Sequence, residues 1–166
     1  MTITQEGTGM LASLSTHPAN PAFTADMRAR CPGIPNDALL RFEDAATCLS
    51  QRILRAAVVM IGLAYEEICK DVVGELVTRG RIGSAGHNQR GRAQALQQFV
   101  SGLSPRGPRS EGRHRGLMAL GTAESVRVKR NQASHPGERF DSHEDTDQLL
   151  VLAGRSLPDL WNIRTL

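Results

Sequence analysis

From Ala38 to about Thr78 the apolar residues fall on two neighbouring rows with helical spacing, and this constrains the fold more than any other feature of the chain. One row runs Leu39, Phe42, Ala46, Leu49, Ile53, Ala56, Met60, Leu63, and the other Leu54, Val58, Ile61, Tyr65, Ile68, Val72, Leu76. Steps of three and four are the α-helical period. Two adjacent rows make an apolar face wider than a surface helix needs, so this segment is expected to be the most buried one. One long helix and two helices joined near Ser50 satisfy the pattern equally. Asn36 or Asp37 can cap its start, and Gly80 is its expected end.

Residues 1–36, punctuated by Pro18, Pro21, Pro32 and Pro35, are expected to be a flexible, poorly packed leader, with the domain proper at 37–166. A Gly-rich basic loop over 80–91 precedes a short helix from about Ala93 to Leu103, bearing Leu96, Phe99 and Val100. Ser104 to Gly112 reads as a linker, and flexible basic loops are therefore expected near 79–92 and 104–115. The next helix is expected from about Arg113 to His135, stopped by Pro136 and Gly137, with Leu117, Leu120, Ala123, Val126 and Ala133 inward. Ser142 with Asp145 resembles a capping box for a last helix carrying Leu149, Leu150, Leu152, Leu157, Leu160 and Trp161, which Pro158 should kink or restart. With apolar residues at 40% and aromatics at only 4%, a core of Leu, Val, Ile and Ala favours helices over a β-sandwich. The expected fold is all-α, a four- to five-helix up-down bundle. Tyr65 and Trp161 lie on apolar rows and are expected in the core.

The chain carries a formal charge of +3, but its distribution is more informative than its total. Between Arg79 and Arg115 eight arginines face one acid, Glu111. The planar guanidinium fork suits phosphate, and a solvated basic loop explains the same run. Cys31, Cys48 and Cys69 form no CxxC and no zinc-like set with histidine, so the thiols are expected reduced and partly buried, and the location cytoplasmic. His17, His87, His114 and His143 also lack metal partners at usable spacing. The apolar run 53–64 is interrupted by Arg55 and too short to span a bilayer, and no signal peptide or membrane association is expected.

The stretch from Arg127 to Gly137 contains Arg130, Asn131 and His135 on the expected last turn of a helix. Asn131 and His135 are four apart and share a face; Arg130 lies about 100° round from Asn131. A histidine at a helix C-terminus favours its protonated form and can shuttle a proton near neutral pH. A neighbouring Arg can hold a phosphate and stabilise its transition-state charge. These are the parts for metal-free RNA cleavage by 2′-hydroxyl attack. The spacing also occurs from Arg109 to His114 and from Arg81 to His87, but both of those lie in Gly/Pro-rich loops. A polar helix end without chemistry accounts for the turn as well.

In these residues the chain resembles the HEPN superfamily (higher eukaryote and prokaryote nucleotide-binding domains). The family motif is Arg, a polar residue that is often Asn, several further residues and His, and Arg130-Asn131-Gln-Ala-Ser-His135 follows it. The stretch Arg55 to Asp71 is similar to an earlier helix of that family, in which some members carry Glu and Lys four apart, as Glu66 and Lys70 are. The resemblance covers about residues 38–163. It implies a HEPN-like bundle, a homodimer with two motifs lining one cleft, and a metal-independent endoribonuclease without cofactor, of the toxin or antiviral-defence kind. Arg130 would hold the scissile phosphate, His135 act as base or acid, and Asn131 orient it. Glu66 and Lys70 would be accessory, and an ordinary ion pair explains them too. Arg90, Arg92, Arg109, Arg113, Arg115, Arg127 and Lys129 would follow the RNA backbone. An antitoxin or defence-system protein would be a further partner. Two other readings stand beside this one. The first is a HEPN module that dimerises and binds RNA, nucleotide or a partner without turnover. The second is a plain interaction protein whose Asn131 and His135 are buried and bonded to nearby backbone.

Overall fold

A computed structural model describes residues 16–83, 88–135 and 142–166. Among them the chain is helical without strands: α1 (Phe23–Arg30), α2 (Asn36–Ser50), α3 (Leu54–Thr78), α4 (Gln89–Gly102), α5 (Ser110–Ser134), α6 (His143–Asn162) and a terminal 3-10 turn, Ile163–Thr165. α3 is the centre, packed by α2, α4, α5 and α6. Its second apolar row is buried from Val58 through Ile61, Tyr65, Ile68 and Val72 to Leu76. The first row is buried only on α2, and beyond it Ile53 is exposed and Met60 and Leu63 are half-buried.

The two rows belong to two helices because the chain turns at Ser50. The amide of Ile53 donates to the carbonyl of Cys48 (2.8 Å) and that of Arg52 to Leu49 (2.9 Å), a Schellman closure. It places Arg52 at φ 59°, where glycine is normally found. α3 ends the same way, with Arg81 donating to Leu76 and Gly80 to Val77, and there the left-handed position is held by Gly80 at φ 64°.

Several expectations are corrected. Within the expected leader, residues 16–35 pack onto the bundle: Phe23, Met27 and Cys31 are fully buried, and the Phe23 ring lies 5.5 Å from Phe42. Short helices between prolines still bury apolar residues where a groove accepts them. Gly154 lets the Thr16 carbonyl approach α6, and His17 Nε2 lies 2.9 Å from Asp147 Oδ1. Ala19 N–H donates to His17 Nδ1, so it is Nε2 that carries the hydrogen toward Asp147.

The expected basic loops are shorter than their composition suggested. α4 starts at Gln89, where the Asn88 side chain accepts from Gly91 N–H, and α5 starts at Ser110. Pro158 does not restart α6, which runs unbroken through it. Proline removes one donor from the helix interior; beside that gap, the Ala153 carbonyl accepts from the Tyr65 hydroxyl (2.8 Å). Leu152 faces outward, 48% exposed, because α6 buries Leu149, Leu150 and Ala153 instead. The Ser142–Asp145 capping box is formed in both directions. Tyr65 and Trp161 are core residues at 2% and 5% exposure. The Pro136-Gly137 stop and His87 lie outside the described residues.

Arg79 and Arg81 are exposed and tie the end of α3 to the C-terminal turn. They donate to the carbonyls of Arg164 (3.1 Å) and Leu166 (2.9 Å), and Arg164 itself lies over the Trp161 ring at 4.5 Å. Among the described residues no helix is long and apolar enough to cross a membrane, and no group of three or more His, Cys, Asp or Glu could hold a metal ion.

Candidate functional site

α5 runs antiparallel to α3, so its C-terminal turn meets the start of α3. Arg55, on the first turn of α3, donates through Nη1 to the carbonyls of Ala133 (3.1 Å) and His135 (2.9 Å), with a longer approach to Gln132 (3.4 Å). The last carbonyls of a helix have no partner within it and carry partial negative charge, and here a guanidinium from another helix supplies both donor and charge. His135 leaves the helix in an extended conformation, φ −97° and ψ 113°, as the residue before a proline should. Asn131 and His135 are exposed, and their side chains make no hydrogen bond with the described residues.

Arg130 points the other way. Helical side chains lean toward their own N-terminus, and its stem crosses α3 at Gly62. A Cβ built on Gly62 would stand 2.5 to 2.8 Å from three carbons of that stem. Its guanidinium reaches Glu66 (3.2 Å) and the Gln89 amide oxygen at the start of α4 (3.2 Å). The other oxygen of Glu66 takes Arg92 at 3.2 Å. Glu66 thus joins α3, α4 and α5 by pairing with two arginines at once, with the three side chains 29%, 14% and 24% exposed for Glu66, Arg92 and Arg130. Lys70 takes no part: it is exposed and pairs with Glu67 at 3.3 Å.

Within one chain, then, Arg130 and His135 do not converge. The first is held at Glu66 and the second beside Arg55, eleven residues and about 16 Å of helix earlier on α3. The remaining basic residues also separate. Arg109, Arg113 and Arg115 occupy the opposite end of α5, roughly 22 to 32 Å from Arg130 by helical rise, and Arg115 pairs with Glu111. Lys129 stands half-buried near the motif. Arg90 and Arg127 come together.

Arg90 and Arg127 line a cavity of about 700 Å³ between α3, α4 and α5. Gln89 lines it too, so the cavity adjoins the Arg130–Glu66–Arg92 cluster. Arg127 grips Glu124 through Nε (2.7 Å) and Nη2 (2.5 Å). Those hydrogen bonds hold the Glu124 carboxyl below the usual carboxylate value, and Arg90 adds to the effect. Leu120 and Ala123 of α5, with Ala93 of α4, give the cavity apolar walls, and Tyr65 and Cys69 reach it from the core. Burial pushes the Cys69 thiol up to about 12, so at neutral pH it is an uncharged group and not a nucleophile.

Sequence reasoning singled out Arg90, Arg127 and Glu66 but missed Gln89, Gln94, Gln97 and Glu124, as well as the role of Arg55. A signal existed for some of these. Arg90, Gln94 and Gln97 fall at steps of four and three on one face of α4, and Glu124 and Arg127 are three apart on α5. Nothing local marks Arg55 as the cap of a helix nearly eighty residues away. No family model, no curated protein and no solved structure matches the chain.

Proposed function

We propose that the protein is a HEPN-type module that binds single-stranded RNA through the α4–α5 surface around Arg90 and Arg127, without cleaving it as a single chain. The observation that carries this reading is that these two arginines meet at a polar-rimmed cavity adjoining Arg130 and Arg92. Two further arginines are thereby held at the same edge, partly neutralised by Glu66. Guanidinium groups on a rigid helical frame suit phosphates spaced along a strand. The assignment to HEPN rests on the Arg130-Asn131-His135 motif, the helical bundle and the helix that follows the motif.

Binding to a labelled single-stranded RNA, titrated against salt, tests the reading. Affinity should fall with ionic strength. Arg90→Ala should weaken binding and reduce the logarithmic salt slope by roughly 0.7 for the lost phosphate contact. Affinity that is indifferent to salt and to Arg90→Ala would sink the proposal.

One observation favours the nuclease as a second reading. The side chains of Asn131 and His135 are exposed and make no hydrogen bond with the described residues, which is how a reactive turn would stand and not how a buried structural one would. Because Arg130 and His135 lie apart in one chain, this reading requires a homodimer whose two motifs complement each other. Incubation with RNA in EDTA checks it. Products ending in 2′,3′-cyclic phosphate, lost in both His135→Ala and Arg130→Ala, are its expected result.

A further inference from the structure

We propose that the cavity between α3, α4 and α5 is a nucleobase subsite: it takes one unpaired base with its attached phosphate. The inference rests on the RNA-binding reading and deepens it. The cavity has two chemically distinct parts. Its inner part is neutral. Leu120, Ala93 and Ala123 are apolar, the Cys69 thiol stays protonated, and the Tyr65 hydroxyl already engages Ala153 and Ser156 (2.8 and 2.6 Å). Its rim is polar, formed by Gln94 and Gln97 from α4, the Glu124–Arg127 pair from α5, and Arg90.

A phosphate alone would be served by the rim and would leave the apolar walls unused. A purely apolar ligand would strip water from the rim amides and guanidinium groups without replacing their hydrogen bonds. A planar heterocycle with apolar faces and a donor–acceptor edge meets both demands. A carboxamide such as that of Gln94 or Gln97 offers both a donor and an acceptor, as an unpaired base edge requires. Gln94 and Gln97 share a helical face with Arg90, so a base read by the amides brings its phosphate toward that guanidinium. About 700 Å³ lies within the range of small-ligand sites, with room for base, ribose and phosphate. Ala93 and Ala123, which line the cavity, have small side chains and leave room between α4 and α5.

The test uses the full chain with a short single-stranded RNA, the same RNA carrying an abasic residue at each position in turn, and free nucleoside monophosphates. Two variants are compared with the parent. Ala123→Leu fills the cavity with a strong helix former at a half-buried position, and Gln94→Ala/Gln97→Ala removes the rim amides at exposed positions, so that the test survives if the first variant misfolds. An abasic residue at one position should weaken parent binding by about tenfold, the order of a single lost base contact. Both variants should bind more weakly by a similar factor and lose that sensitivity. Nucleoside monophosphates that bind the parent but not Ala123→Leu would also support the subsite, with the free nucleotide as the source of the base. RNA binding that depends on Arg90 but ignores both abasic residues and both variants, with no monophosphate bound, would overturn the subsite and leave the RNA-binding reading intact. No RNA binding at low salt and no monophosphate binding would overturn both.

Discussion

Single residues carry much of what is specific to this chain. Arg52 sits at φ 59° at the end of α2, in a conformation that costs an L-residue roughly 1–2 kcal/mol. It is exposed and its side chain is not part of the core. Arg52→Gly should therefore stabilise the protein by about 1 kcal/mol. Differential scanning calorimetry should show this as a rise in Tm of roughly 2–4 °C for a chain of this size. Gly62 presents the opposite case. Its missing Cβ makes room for the Arg130 stem, so Gly62→Ala should destabilise by about 1–3 kcal/mol through overpacking, despite alanine's better helix propensity. Arg130→Ala in the same chain should recover most of that loss, and a double-mutant cycle in urea measures it. Glu66 is the residue whose substitution separates stability from binding. Glu66→Gln should lower stability, because Arg92 and Arg130 lose a shared carboxylate. It should also tighten RNA binding and steepen its salt dependence, since the negative charge beside the two guanidinium groups is removed. If RNA affinity falls together with stability, Glu66 is supporting the binding surface and not competing for it.

At the scale of elements, the helix ends decide where the candidate groups stand. α5 is twenty-five residues long, and its last turn is held by Arg55 from another helix. Arg55→Met keeps much of the aliphatic stem and removes the charged donor, at an expected cost of about 2 kcal/mol, the scale of hydrogen bonds to a charged group. Amide exchange of residues 131–135 should rise before that of the rest of α5, because only their turn loses its cap. Exchange that rises evenly along α5 would show that Arg55 supports the whole helix. α6 begins with a local device instead: Ser142 and Asp145 exchange hydrogen bonds, which also hold the Asp145 carboxyl below its usual value. This element was legible from four residues of sequence. The Arg55 cap was not, because its donor and its acceptors are joined only by packing.

For the whole molecule, the cavity links fold and proposed function, and its ionisation gives a pH test. The Glu124 carboxyl lies below its ordinary value of 4.5, chiefly through its hydrogen bonds with Arg127. A depressed carboxyl contributes stability that is fully present above the ordinary value and is lost as pH falls through the lower folded one. The parent should thus be more stable than Glu124→Gln from pH 7 down to about 5, and the difference should shrink as pH falls below 4.5; urea denaturation at each pH checks it. Equal stabilities throughout would mean that this exposed pair contributes nothing measurable.

The sequence by itself determined the helical class, the identity of the central segment, the stop at Gly80 and the cap of α6, while the choice between one helix and two near Ser50 was left to the structure. Each of these depends on residues within a few turns of one another, where periodicity and hydrogen-bonding chemistry act directly. Tertiary structure alone decided that Phe23 and Met27 join the core, that Glu66 pairs with Arg92 and Arg130 instead of Lys70, and that Arg90 and Arg127 share a cavity while Arg130 and His135 part. Arg130 and His135 are close in sequence, but one side chain leans back along α5 onto α3 and the other residue leaves the helix at its end. Which of two near neighbours faces a given site is set by the helix packed against them, and no spacing along a single chain records that.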